Sequence, residues 1–263
     1  MIAFSLPSLH LNYVYGILRN IILARTYLPD WTVWLYHNDI AVSQRIFEKY
    51  KLTGNVTFKS SAAFSSSVPV SLLPYLTIDD KRVKYFMVRS ALSRISQRDI
   101  TAVADWLRSD DVTWCVRDHP VLHRSTLTAG LIGFKTVPFG RLLNQSVENV
   151  LSDFAHAHPE LLPNRAHEMS LQDSDFVSLS QDIHKMESVF LNEYILPRIE
   201  QHVTCFDSVH CDQSSFGGTS KPLAAARRGV EFIGEEFGAF EVPLDVNAST
   251  ALQDFKRQCD PIT

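Results

Sequence analysis

Several arginines stand where this sequence could do chemistry. Arg89 and Arg94 bracket one short segment, Arg117-Asp118-His119-Pro120 forms a second group, and Arg227-Arg228 a third. A guanidinium presents its donors in a planar fork that clamps phosphate or carboxylate oxygens, so these groups suit an anionic ligand. An Arg-Asp pair after a strand is also a common way of fixing a loop, and that reading stands beside the catalytic one for Arg117 and Asp118. His119 and His123 lie four residues apart in an irregular stretch and are candidates for a pair of metal ligands. No Glu-x-x-His companion supports them, and lone histidines are usually hydrogen-bonded loop residues.

The elements that would position these groups follow from periodicity. Met1–Ser5 reads as a strand, and apolar Val14, Ile17, Leu18, Ile21 and Ile22 give Tyr13–Tyr27 the spacing of a helix that ends at Leu28-Pro29-Asp30. Trp31–Tyr36, Asn55–Lys59, Lys84–Val88 and Val112–Val116 are β-branched or aromatic runs and read as strands. Helices are expected at Ser43–Tyr50, at Gln97–Arg108 with Ser96 as N-cap, and near Leu142–Ala157. Ser60–Ser67 and Ser170–Asp182 read as loops, Glu187–Glu200 as a helix interrupted by Pro197, and Cys205–Phe216 as a short strand leading into a Gly/Ser turn at Phe216–Ser220.

Strands alternating with helices specify an α/β fold, a mostly parallel sheet with helices on both faces, here as a single domain. The expected domain runs over 1–244, and 245–263 reads as a polar C-terminal tail. Ligands in such sheets bind beyond the carboxyl ends of the strands, which singles out Arg89–Arg94 directly after Lys84–Val88.

Bulk composition narrows the partners. With 25 basic against 29 acidic side chains the net charge is −4, which creates no field to gather a polyanion, so nucleic acid is not the expected partner. Apolar runs such as 17–24 and 68–76 stop well short of the roughly 20 residues a spanning helix needs, so no membrane span is expected. The opening MIAFSLPSLH lacks a basic n-region and a long apolar h-region, which reads as cytoplasmic. None of the four cysteines has knuckle or redox-motif spacing; buried thiols are the expectation, with a Cys205–Cys211 disulfide as the alternative.

Five blocks in order carry a resemblance: Tyr85–Asp111 (YFMVRSALSRISQRDITAVADWLRSDD), Cys115–Gly133, Phe190–Ile199, Phe206–Cys211 and Ala226–Phe237. Together they resemble small glycosyltransferase-like proteins of the nucleotide-diphospho-sugar (GT-A) fold. The resemblance implies an Asp-x-Asp motif that holds Mn2+ or Mg2+ on the donor diphosphate, where a hard cation with oxygen ligands neutralises the leaving group. Here Arg89 and Ser93-Arg94 match, but the two Asp positions are Ser90 and Leu92. The family's His-Asp-Ser reads Phe206-Asp207-Ser208, and Leu73-Pro74 replaces an upstream Trp-Arg. The losses converge on one ligand, so no metal is assigned.

On that resemblance Asp118 and Glu187 are the candidate catalytic residues. Glu187 lies near a family Asp and would act as base on an acceptor hydroxyl, with a solvated helix carboxylate as its plainer reading. Arg89, Ser90, Leu92, Arg94, Arg117, His119, Asp207 and Arg227 are the candidate substrate-binding residues. Two functions follow: a pseudoenzyme kept for binding or assembly, with a nucleotide-sugar or protein partner and room for homo- or hetero-oligomers, or an active metal-independent transferase in which arginines replace the ion.

Overall fold

The computed structural model describes residues 1–37, 45, 48, 55–61, 68–119, 122–123, 126–162, 173–208, 218–223 and 232–238, with the side chains of 173–175 left aside. The helix expected at Ser43–Tyr50 therefore falls outside the described residues apart from Arg45 and Glu48, as do Cys211, Cys259, Arg227, Arg228 and the 245–263 tail.

Eight strands form one sheet: β1 Ile2–Ser5, β2 Val33–His37, β3 Val56–Ser60, β4 Tyr85–Arg89, β5 Thr113–Arg117, β6 Leu131–Lys135, β7 Val203–Asp207 and β8 Thr219–Pro222. Their spatial order is β3-β2-β1-β4-β6-β5-β7-β8. Every neighbouring pair is parallel except those of β6, which runs antiparallel to both β4 and β5. The mostly parallel α/β reading holds, and β6 is its exception.

Alternation along the strands divides the apolar side chains between two cores. Ile2, Phe4, Met87 and Val116 point to the face covered by α1 (Leu11–Tyr27), α2 (Gln97–Arg108) and part of α5 (Asp173–Val189). Ala3, Phe86, Val88 and Ile132 point to the other face, covered by the 3-10 segment Val70–Asp79, α3 (Thr136–Leu143) and α4 (Val147–Ala157). Both faces are sealed, which is why these strands read as continuous apolar runs. α2 begins where its capping pattern predicts: the Ser96 hydroxyl accepts from the Asp99 amide at 3.3 Å. Among the described residues no helix is long and apolar enough to cross a membrane.

Three expectations are corrected. Ser170–Asp182, read as a loop from its polarity, belongs largely to α5, whose apolar Phe176, Leu179, Ile183 and Met186 are spaced at helical intervals and buried. The single helix near Leu142–Ala157 is two, α3 and α4, parted at Asn144 in the left-handed region. Cys115 and Cys205 face each other in register on β5 and β7 and form a disulfide, so neither the free-thiol reading nor the Cys205–Cys211 pairing holds for Cys205.

Candidate functional site

At the carboxyl end of β4 the chain leaves the sheet as Ser90–Arg94 and is fixed from two sides. The α1 residue Asn20 donates to the Ser93 carbonyl at 2.7 Å and accepts from the Ile95 amide at 3.1 Å. Gly16 lets α1 come this close, since a Cβ there would stand 2.0 Å from the Ala91 carbonyl oxygen. On the other side Ser93 bridges to Glu236, and the Phe237 amide donates to the Leu92 carbonyl at 2.9 Å.

β6 brings a second loop to the same edge because it enters the sheet from the ligand side. Gly130 precedes it at φ +69°, and a Cβ there would meet the Ser90 backbone nitrogen at 2.6 Å. Glycine alone allows that crossing. Asn192 clamps the loop upstream, donating to the Leu127 carbonyl at 2.9 Å and accepting its amide at 3.0 Å. Asn192 lies in a π-helical stretch, Phe190–Ile195, that continues from α5.

Between these loops, α5 and Phe232–Glu236 lies a cavity of about 520 Å³, the size of a small-molecule site. Leu127, Leu131, Phe176 and Phe232 make much of its wall apolar, while Ser90, Ser180, His184 and Glu236 form a polar end. A smaller space of about 30 Å³ shares Ser90, Gly130, Ser180 and His184 with it and reaches Tyr13 and Glu187.

The polar end is a linked set. The Ser90 hydroxyl donates to a Glu236 oxygen at 3.1 Å, and His184 Nε2 lies 2.9 Å from the same oxygen. The Glu236 charge pushes His184 up to about 9, so the imidazole is cationic at neutral pH. Burial raises Glu236, but His184, Ser90 and Arg94 outweigh it and hold the carboxyl below its usual range. Burial pushes Glu187 up to about 7; His184 opposes this and Glu236 adds to it. Ser90 and His184 thus meet through one oxygen of Glu236.

Of the residues expected at the site, the structure brings Arg89, Ser90, Leu92 and Glu187 together around the small space, and of these Ser90 also lines the larger cavity. Leu92 is 1% exposed and packs in the core on the α1 face. Arg89 is buried against Asp99 at 2.8 Å, and Arg117 against Asp207 at 2.6 Å. Arg94 donates to the Leu92 carbonyl at 2.8 Å and lies over the Phe237 ring. His119 accepts from the Leu122 amide at 3.0 Å and rests on the Phe232 ring. Asp118, expected as catalytic, is fully buried and ties three segments together: it accepts from Arg98, from Ser208 and, at 2.8 Å, from the Ile233 amide. It is not among the residues that line the cavity. Arg227 lies outside the described residues.

Sequence reasoning missed His184, Ser180 and Glu236. Glu236 stands within Ala226–Phe237 but carries no motif of its own. His184 follows a polar stretch whose composition predicts a loop, whereas the fold makes it a helix. Among the described residues no group of three His, Cys, Asp or Glu is arranged to hold a metal ion.

No family model and no curated protein matches the sequence. Solved structures similar to it include the glycosyltransferase GlyE of Streptococcus pneumoniae TIGR4, 11% identical, with 80% of this chain and 46% of that one covered at a TM-score of 0.42. An active-site mutant of LgtC is also 11% identical, with 79% and 73% covered at 0.42. S. aureus TarS 1-349 is 9% identical, with 73% and 55% covered at 0.37. The chain thus spans about half the length of GlyE.

Proposed function

We propose that this chain is a glycosyltransferase-like binding protein, a pseudoenzyme whose cavity takes a small ligand without a divalent ion. One observation carries the reading. Where a metal-diphosphate site of the family resembled would need two converging carboxylates, the first position is a Ser90 hydroxyl engaged with Glu236 and the second is a leucine in the core.

The arginines favour the same reading over a metal-independent transferase. Arg89, Arg94 and Arg117 are each held by carboxylates or carbonyls of the protein itself. Among the described residues that line the cavity there is no Arg or Lys, and the cation present, His184, is paired with Glu236. A leaving diphosphate would find little positive charge to receive it.

Calorimetric titration of UDP-glucose with and without manganese tests this. Manganese is expected to add no affinity beyond about twofold, whether the nucleotide-sugar binds weakly or not at all. Micromolar binding that requires manganese would overturn the proposal, and steady donor hydrolysis in EDTA would favour the transferase instead.

A further inference from the structure

The larger cavity opens through an apolar rim. Leu122, from the segment after β5, is 47% exposed and Val177, from α5, is 55% exposed, and both line the cavity. Side chains that line a cavity and yet stand half in solvent mark its opening. A single exposed leucine or valine is ordinary on a protein surface. Two from different elements at one opening carry the apolar wall of Leu127, Leu131, Phe176 and Phe232 out to the surface.

Polarity changes along α5 in the same sense. Its lining residues are Phe176 and Val177 near its start, then Ser180, Gln181, His184 and Ser188, spaced so that they share one helix face. At 1.5 Å per residue that face runs about 16 Å from Val177 to Ser188, apolar at one end and hydrogen-bonding over the rest.

The headgroup that suits the polar part is uncharged. An anion entering the cavity meets Glu235, Glu236 and one imidazolium already paired with Glu236 at 2.9 Å. A cation finds the Glu236 charge met by His184, Ser90 and Arg94, and Glu235 is not without a partner. The other polar side chains there, among them Ser90, Ser93, Ser180 and Gln181, are neutral and both donate and accept.

Resting on the reading of the cavity as a ligand site, we propose that its ligand is a single-chain amphiphile. An uncharged, hydroxylated headgroup lies against Ser180 and Gln181, and an aliphatic chain runs along Phe176 and Val177 to the rim at Leu122. A volume of about 520 Å³ admits one chain and one ring-sized head. The chain supplies the affinity, about fourfold for each methylene that leaves water, and the head supplies the orientation.

Hexyl and octyl β-glucoside, octanoate and octyltrimethylammonium, each below its micellar concentration, are titrated into the intact protein and followed by the methyl NMR shifts of Leu122, Leu127, Leu131 and Val177. Octyl glucoside should bind about tenfold more tightly than hexyl glucoside, and at least about tenfold more tightly than either charged octyl compound. Val177→Asp and Leu122→Ser, both at half-exposed positions, should keep cooperative melting and cut the gain from hexyl to octyl to about threefold or less. A charged octyl compound that binds as tightly as the glucoside would overturn the uncharged head. Equal binding of the two glucosides, or a gain untouched in both variants, would overturn the course of the chain. Either result leaves the cavity reading standing. If none of the probes shifts the cavity resonances, the cavity reading fails, and this proposal with it.

Discussion

The hydroxyl of Ser90 stands 3.1 Å from a carboxylate oxygen of Glu236, a residue 146 positions further along the chain. Under the proposed function, that contact takes the place of the resembled family's first metal-binding aspartate. Ser90→Asp would set a second carboxylate against Glu236, and Leu92→Asp would bury a charge in the core. The double variant should lose at least about 3 kcal/mol of stability and gain no manganese affinity. Thermal melting and manganese titration would check both, and a stable variant that binds manganese would refute the account of Leu92.

Asp118 joins Arg98, Ser208 and Ile233. Asp118→Asn keeps the size but removes the charge facing Arg98. A loss of about 3 kcal/mol is expected, readable as a lower urea midpoint with an unchanged m-value. Any ligand affinity measured below the melting range should fall far less than it would for a residue that touches the ligand.

Stability should decline towards alkaline pH in two steps. Glu187 has a folded-state pKa raised from 4.5 to about 7, so its contribution is full below the lower value and is lost as pH rises through the upper one. His184, raised from 6.5 to about 9, behaves in the same sense in a higher window. Glu187→Gln should remove the first step and be more stable than the parent by up to about 3 kcal/mol above about pH 8. Melting curves across pH would show whether the first step disappears and the second remains.

Cys115 and Cys205 close a loop of 90 residues between adjacent strands. Peptide mapping without reductant should recover them as one linked fragment. Replacing both by alanine should cost up to about 4 kcal/mol in the chain-entropy account, reported by denaturant unfolding of the oxidised parent and the variant. Disulfides persist in oxidising compartments, so recovery of this link from cells would contradict the cytoplasmic expectation drawn from the opening residues.

The sequence made the sheet legible wherever local signals and tertiary demands agreed. Val33–His37 and Thr113–Arg117 lie within a residue or two of their apolar runs, and α2 starts at its Ser96 cap. β6 was not legible as antiparallel, because Leu131–Lys135 carries only an apolar pattern and its direction is set by partners distant in sequence. α5 was obscured because its first turns are polar and its apolar residues are sparse. At the site, Ser90 and Leu92 could be found through a motif and Glu187 through its neighbourhood. His184 and Glu236 could not be paired in advance, since 52 residues separate them and only the fold brings them to 2.9 Å.

The reversed direction of β6 places one of the innermost strands with its first residue in the wall of the cavity and its last, Lys135, beside Tyr85 at the far end of the sheet. A bound molecule pressing on Gly130 or Leu131 would push along the axis of a strand hydrogen-bonded on both edges. Occupancy at one pole should then be readable at the other, as slower amide exchange at Phe134 and Lys135.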